Sequence, residues 1–382
     1  MDTSLQPPLT RRSARLPGPP DSRRTALEPT DPVPPAKGET HESHTTSVRR
    51  HRRRRRGCRP GARRLLVRRQ RRWRHGRHRR RRRGFHPSFA FIAADLSDFG
   101  QMQLEGAESV AEGLGGSVTM LDGANDDNSL TTICNDAIAS GRYNGIILNP
   151  VSAPGAIPCV EAAHEAGIAV ATVEGFAGPS STTVEPQLDG VIVSVGTSNE
   201  NYGSMIAETL VSACEGFDPC NYIHIFGIKG YQLSEDIHAA VQAEVGDDPR
   251  FVEVAQGEDY FTPDDGRQIV ADLIAANPET NVVLNSSDST AVQVANLLKE
   301  IDRTDIVVLG DGGSRQGLAG VADGSIFSTV ILRPFTYGAT AAEALVAHNT
   351  GEPVPTPEEV ADLAAPFIVT KDNVEGLEGE WG

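Results

Sequence analysis

Few side chains in this sequence sit at spacings that would let them do chemistry. There are ten histidines, and His164, His224 and His238 in the body have no partner at the spacing of a nucleophile–base pair or a metal site. No GxSxG, HExxH, phosphate-loop or Rossmann glycine pattern opens a helix. Five cysteines are present, Cys58, Cys134, Cys159, Cys214 and Cys220. None forms a CxxC pair or joins a Cys/His cluster at zinc spacing. The expectation is therefore no catalytic centre, no metal and no cofactor. What remains is crosslinking by cysteine and recognition by charge, amide and aromatic groups.

Charge divides the chain in two. Residues 1–84 hold 27 of the 36 Lys and Arg and 6 of the 51 Asp and Glu, a net of +21; the rest holds 9 and 45, a net of −36. Residues 1–48 are rich in Pro, Ser, Thr and charge, a composition that cannot bury enough apolar surface to fold. Residues 49–83 are an Arg tract without helical or strand period. Such a tract binds phosphate without sequence preference, but an acidic body repels nucleic acid, so no nucleic-acid partner is expected. No apolar run is long enough to span a membrane. No basic start leads into an apolar segment as a signal peptide requires. The abrupt change of composition near Gly84 reads as an export signal and linker translated in a neighbouring frame; a genuine basic, disordered tail is the alternative.

The elements that must position any site begin at residue 88. Short apolar runs at 88–94, 117–121, 145–149, 168–173, 191–195, 222–226, 251–255, 281–284, 306–309 and 327–332 alternate with helical patterns of 10–18 residues. Continuous apolar strands alternating with helices give α/β architecture with parallel sheets covered on both faces. Ten alternations suit two sheets of five or six strands rather than one. Ligands of such sheets bind at the carboxyl ends of the strands. The same order bears on the cysteines. Cys134 and Cys159 lie on the helices before and after one strand, which right-handed crossovers put side by side on one face. Cys214 and Cys220 flank the short loop EGFDP. Disulfides Cys134–Cys159 and Cys214–Cys220 are expected, with four buried thiols as the alternative.

The segments AADLSDFGQMQLEGAESVAEGLG, VEAAHEAGIAVATVEG, DIVVLGDGGSRQGLAGVADGSIFSTV and RPFTYGATAAEAL follow one another as they do in the ribose/galactose-type periplasmic binding proteins. The chain resembles that family over about residues 88–371. The resemblance implies two doubly wound parallel-sheet lobes joined by a three-crossing hinge, the type I solute-binding fold, behind a disordered N-terminal extension at 1–84. The crossings would fall near Gly196–Thr197, Leu332–Arg333 and Asp362–Leu363. The lobes would then be 85–196 with 333–362, and 197–332 with 363–382. It further implies capture of a small polar solute outside the cytoplasmic membrane and delivery to the membrane permease of an ABC importer, by a monomer without cofactor.

Carried over position by position, the family's pocket falls on Asp98, Phe99 and Gln101 in the first loop and on Glu174 after the fourth strand. In the second lobe it falls on Tyr231, Glu235, Tyr260 or Phe261, Ser287, Asp288, Asp311 and Arg333. Two positions that hold arginine in ribose binders are Gly175 and Glu235 here, which argues against ribose. A pocket of carboxylates and aromatic rings suits a sugar or polyol, or a cationic solute. A lactose-repressor-type effector shares the fold, but its helix-turn-helix has no counterpart in residues 1–84. A chemoreceptor-linked sensor is the other non-transport reading.

Overall fold

The computed structural model describes residues 84–364 and 367–382. The expectations for residues 1–83 lie outside this range. The first sheet comprises β1 (Ser88–Ala93), β2 (Ser117–Asp122), β3 (Gly145–Leu148), β4 (Val170–Val173) and β5 (Val191–Val195), in the order β2-β1-β3-β4-β5 and all parallel. Its strands are short and apolar, and β1, β3 and β4 are almost wholly buried, as a sheet covered on both faces demands.

Helices α1 (Asp98–Glu112), α2 (Asp127–Ala139) and α3 (Ile157–Glu165) connect the first four strands. After β5 the chain crosses at Gly196 into α4 (Asn199–Ala213) and a second sheet. That sheet is built from β6 (Cys220–Phe226), β7 (Phe251–Glu258), β8 (Val282–Leu284), β9 (Val307–Leu309), β10 (Ser328–Ile331) and β11 (Phe367–Thr370). Its order is β11-β10-β9-β8-β6-β7, with β11 antiparallel to β10. The intervening helices are α5 (Gln232–Val245), α6 (Pro263–Ala276), α7 (Asp288–Glu300) and α8 (Arg315–Asp323). A second crossing at Leu332 leads into α9 (Pro334–Thr350), which packs against α1, and α10 (Pro357–Ala364), which lies on β5. β11, which follows α10 in the chain, belongs to the second sheet.

The connecting helices begin at the carboxyl ends of the strands, and several begin with a polar cap. Ser97, Asp126, Ser198, Ser287 and Ser314 each accept a backbone N–H of the first turn, which satisfies donors a helix start leaves open. The ends where these caps gather are therefore polar by construction. One apolar cluster runs through both lobes, from Phe89 and Phe91 through Tyr202, Ile206 and Leu210 to Tyr222, Val282 and Val330.

Three elements lay outside the sequence pattern. α8 carries two glycines within nine residues, a weak helix signal. α10 follows a Pro-rich stretch, and β11 is four residues of edge strand. Their stability comes from packing rather than local propensity. Asp288, expected in the pocket, is instead an internal tie. It is fully buried, accepts the Ser314 N–H at 2.5 Å and the Thr329 hydroxyl at 2.7 Å, and so joins α7, α8 and β10. Gly310 and Gly317 lie against it, where any Cβ would strike the carboxylate.

Both expected disulfides are present, Cys134–Cys159 between α2 and α3, and Cys214–Cys220 between α4 and β6. Their sequence separations are 25 and 6 residues. By the chain-entropy account, replacing each pair with serine should cost about 3.5 and about 2 kcal/mol respectively. Denaturant titration of the oxidised protein and the two double-serine variants checks both the sizes and their order.

Candidate functional site: a carboxylate-lined cleft between the lobes

Three strands of the first sheet and three of the second direct their carboxyl ends at one cleft, each bringing a different group. From the first sheet come Asp95 after β1, Asn149 after β3 and Glu174 after β4. From the second come Tyr231 beyond β6, Asn285 and Ser286 after β8, and Asp311 after β9. A cavity of about 290 Å³ lies between Pro150, Glu174 and Gly175 on one side and Asn199, Tyr231 and Leu233 on the other. A second, of about 370 Å³, reaches Asp311, Asn285, Ser286 and Phe261.

Glu174 is the best-supported group. Its backbone is in the left-handed region, φ 62°, which a residue with a side chain occupies only when its surroundings hold it there. Oε2 accepts the amide of Asn149 at 2.8 Å and that of Gln103 at 3.0 Å. Burial, and after it the charge of Asp95, push its pKa up to about 7. Asp311 faces it from the other lobe. Burial first, then the charges of Asp288 and Glu174, push Asp311 up to about 8, against the hydrogen bond donated by the Tyr202 hydroxyl. The carboxyl of Asp288 is likewise raised, to about 6, by burial. Burial raises the Tyr231 and Tyr202 hydroxyls further, with Glu174 and Asp311 as the next causes. The cleft thus holds carboxyl groups that take up protons near neutral pH, able to donate as well as accept hydrogen bonds.

Aromatic rings close the cleft. Phe99 meets Trp381 edge-on at 5.5 Å, and Tyr231 meets Phe261 edge-on at 6.3 Å. Trp381 is buried and donates its indole N–H to the Gly312 carbonyl at 2.9 Å.

The structure brings together Glu174, Asp311, Tyr231, Phe261 and Phe99 from the expected set and leaves others out. Asp98 and Gln101 are exposed. α1 starts at Asp98, so 98, 101 and 105 share its outer face while Phe99, Gln103 and Ala107 share the inner one. Gln101 reaches only the Met120 sulfur. Glu235 is exposed and accepts the Gly230 N–H at 2.8 Å, closing the turn before α5. Tyr260 is 60% exposed with its hydroxyl on Glu258. Ser287 caps α7. Arg333 is half-buried at the start of α9, over the Phe367 ring at 6.0 Å, and its Nε has no hydrogen-bond partner among the described residues.

Sequence reasoning missed Asp95, Gln103, Asn149, Tyr202 and Trp381. The i, i+4 spacing of Phe99 and Gln103 was a usable signal for one of them. Tyr202 and Trp381 carried none, since each lies far along the chain from the residue it meets, Asp311 and Phe99 respectively.

Two lobes built on parallel sheets, with a polar cleft at their strand ends, define a type I solute-binding protein. Residues 89–353 match the family model of the periplasmic binding protein domain, and the chain belongs to that family. It is similar to the ribose import binding protein RbsB of Escherichia coli K12, 24% identical over 239 residues, 63% of this chain and 76% of that protein. It is also similar to a D-apiose import binding protein of Actinobacillus succinogenes, 23% identical over 246 residues, 62% of this chain and 73% of that one. Among solved structures, an ABC transporter solute-binding protein from Mycobacterium smegmatis with bound glycerol aligns with TM-score 0.64 at 25% identity. That alignment covers 77% of this chain and 98% of that one. One from Actinobacillus succinogenes 130z with bound D-allose aligns with TM-score 0.63 at 19% identity, covering 76% and 100%, which shows the shared fold.

The raised pKa values set a pH dependence. Glu174 and Asp311 rise above the ordinary 4.5 and 3.8, so the closed, folded state holds more protons than the open or unfolded chain. Its stability is full below about pH 4 on this account and falls as pH rises through about 7 and 8. Unfolding free energy without ligand should therefore decline between pH 5 and 8.5 (on the order of these shifted values), and the radius by small-angle scattering should grow. The Glu174→Gln, Asp311→Asn double variant should flatten both trends; an unaltered pH profile in that variant counts against the assignment.

Proposed function

We propose that the chain captures a sugar or polyol between its lobes, outside the cytoplasmic membrane, and hands it as a monomer to the membrane permease of an ABC importer. The observation that carries this reading is the meeting of Glu174 and Asp311 across the cleft, with amides and aromatic rings around them. Carboxyl and amide groups bind hydroxyls in pairs, and rings stack on the apolar face of a sugar. Support comes from the import proteins of ribose and D-apiose and from the structures holding glycerol and D-allose. Gly175 and Glu235 stand where ribose binders carry arginine, so the ligand is a sugar or polyol other than ribose. No helix among the described residues is long and apolar enough to cross a membrane.

The carboxyl groups beside Tyr231 also favour a second reading, a cationic solute held by charge and ring faces. A thermal-shift panel of pentoses, hexoses, inositols, glycerol and polyamines on the full chain separates the two. A ligand at 100 times its Kd adds about 2.7 kcal/mol. Asp311→Ala and Phe99→Ala should each weaken the best hit at least tenfold in calorimetry, with the fold intact by circular dichroism, since each leaves ligand groups without a buried partner. A panel in which polyamines alone shift the melt overturns the sugar reading.

A further inference from the structure

A second group of ligating side chains lies on the face of the second sheet that α5 covers, where His224 also lines the second cavity. β7 is an edge strand there. Its register against β6 shifts between Tyr222 and Ile223, so Glu253 pairs with Tyr222 and Gln256 with His224. In a regular strand, residues three apart face opposite sides. The bulge lets Glu253 and Gln256 both reach His238 on α5, at 3.2 and 3.3 Å.

His224, His238 and Glu253 each bring one donor atom within 4.8 Å of the other two. His224 is 3% exposed, and its Nδ1 has no hydrogen-bond partner among the described residues; nor has Glu253 Oε1, which is also buried. Buried polar atoms are paired in the great majority of cases, so two such atoms in one cluster call for a shared partner. We propose that His224, His238 and Glu253 form a binding site for a divalent transition-metal ion of the zinc class, with a water as fourth ligand. Two imidazoles and a carboxylate are a donor set that suits zinc.

The surroundings fit. Gln242 donates to Glu253 Oε2 at 2.6 Å and the Tyr222 hydroxyl donates to it at 3.2 Å, the outer support that orients a ligating carboxylate. The His238 and Glu253 side chains are 24% and 15% exposed, so an ion can enter from the sheet edge. Bonds of about 2.0–2.2 Å require the donors to draw together by roughly half an ångström or more, within reach of rotations in the His238 and Glu253 side chains. The Gln256 amide then leaves His238 Nε2. The ion ties α5 to β6 and β7, and α5 starts at Tyr231 in the cleft wall.

The test is calorimetric titration of the EDTA-stripped, dialysed full chain with zinc chloride, alongside visible spectra with cobalt(II). The expected result is a site that Glu253→Gln and His238→Gln each weaken at least tenfold, while His164→Gln, at an exposed position of α3, titrates as wild type. The histidines before residue 84 are common to every variant and cancel. Cobalt should give the intense bands of a four-coordinate ion, lost in Glu253→Gln. Folded variants that titrate like wild type overturn the proposal. If the variants fail to fold, a wild-type cobalt spectrum no stronger than that of the hydrated ion overturns it.

Discussion

The burial of two carboxyl groups from opposite lobes is the constraint around which the cleft is arranged. Glu174 and Asp311 lie in low dielectric, each pushed toward its protonated form. An isolated buried charge is costly, and a group in that position takes up a proton or finds partners. Here both happen. Glu174 takes two amide donors and Asp311 a tyrosine hydroxyl. The left-handed backbone at Glu174 and the close approach of Gly196, which lies against it, keep that carboxyl at the seam where the chain first crosses between lobes.

The lobes are joined in more than one place. The apolar cluster spans both lobes. The last residues bridge them as well: Glu380 accepts the Thr336 N–H and hydroxyl at the start of α9, while Trp381 bonds Gly312 and touches Phe99. Ligand groups in a hinged clamp gain most when they bond to both sides at once, because those bonds exist only in the closed state. A cleft whose polar atoms meet one another is one whose contacts a ligand can replace group for group.

How much of the site was legible depends on how each residue is positioned. Glu174 and Asp311 directly follow apolar strands, so their places follow from the strand ends. Asp98 and Gln101 failed for a helical reason: the loop is shorter than it reads, α1 begins at Asp98, and a 100° step per residue turns Phe99 and Gln103 inward instead. Asp288 reads like Asp311, a carboxylate at a strand-end loop. Only the packing of Gly310, Gly317 and Thr329 around it reveals that it ties elements together.

The alternation of apolar runs and helical patterns by itself determined the α/β class, ten of the eleven strands and two sheets, because strand and helix periods are local properties of the chain. Strand order then placed Cys134 beside Cys159, since right-handed crossovers leave little choice of face. What only the tertiary structure decided is which side chains meet. Tyr202 reaches Asp311, Trp381 reaches Phe99, and His224 lies beside His238 and Glu253 across gaps of 14 and 29 positions. Such meetings rest on crossings, a bulge and the packing of separate helices, and side chains brought together by long-range closure leave no period in the sequence to read.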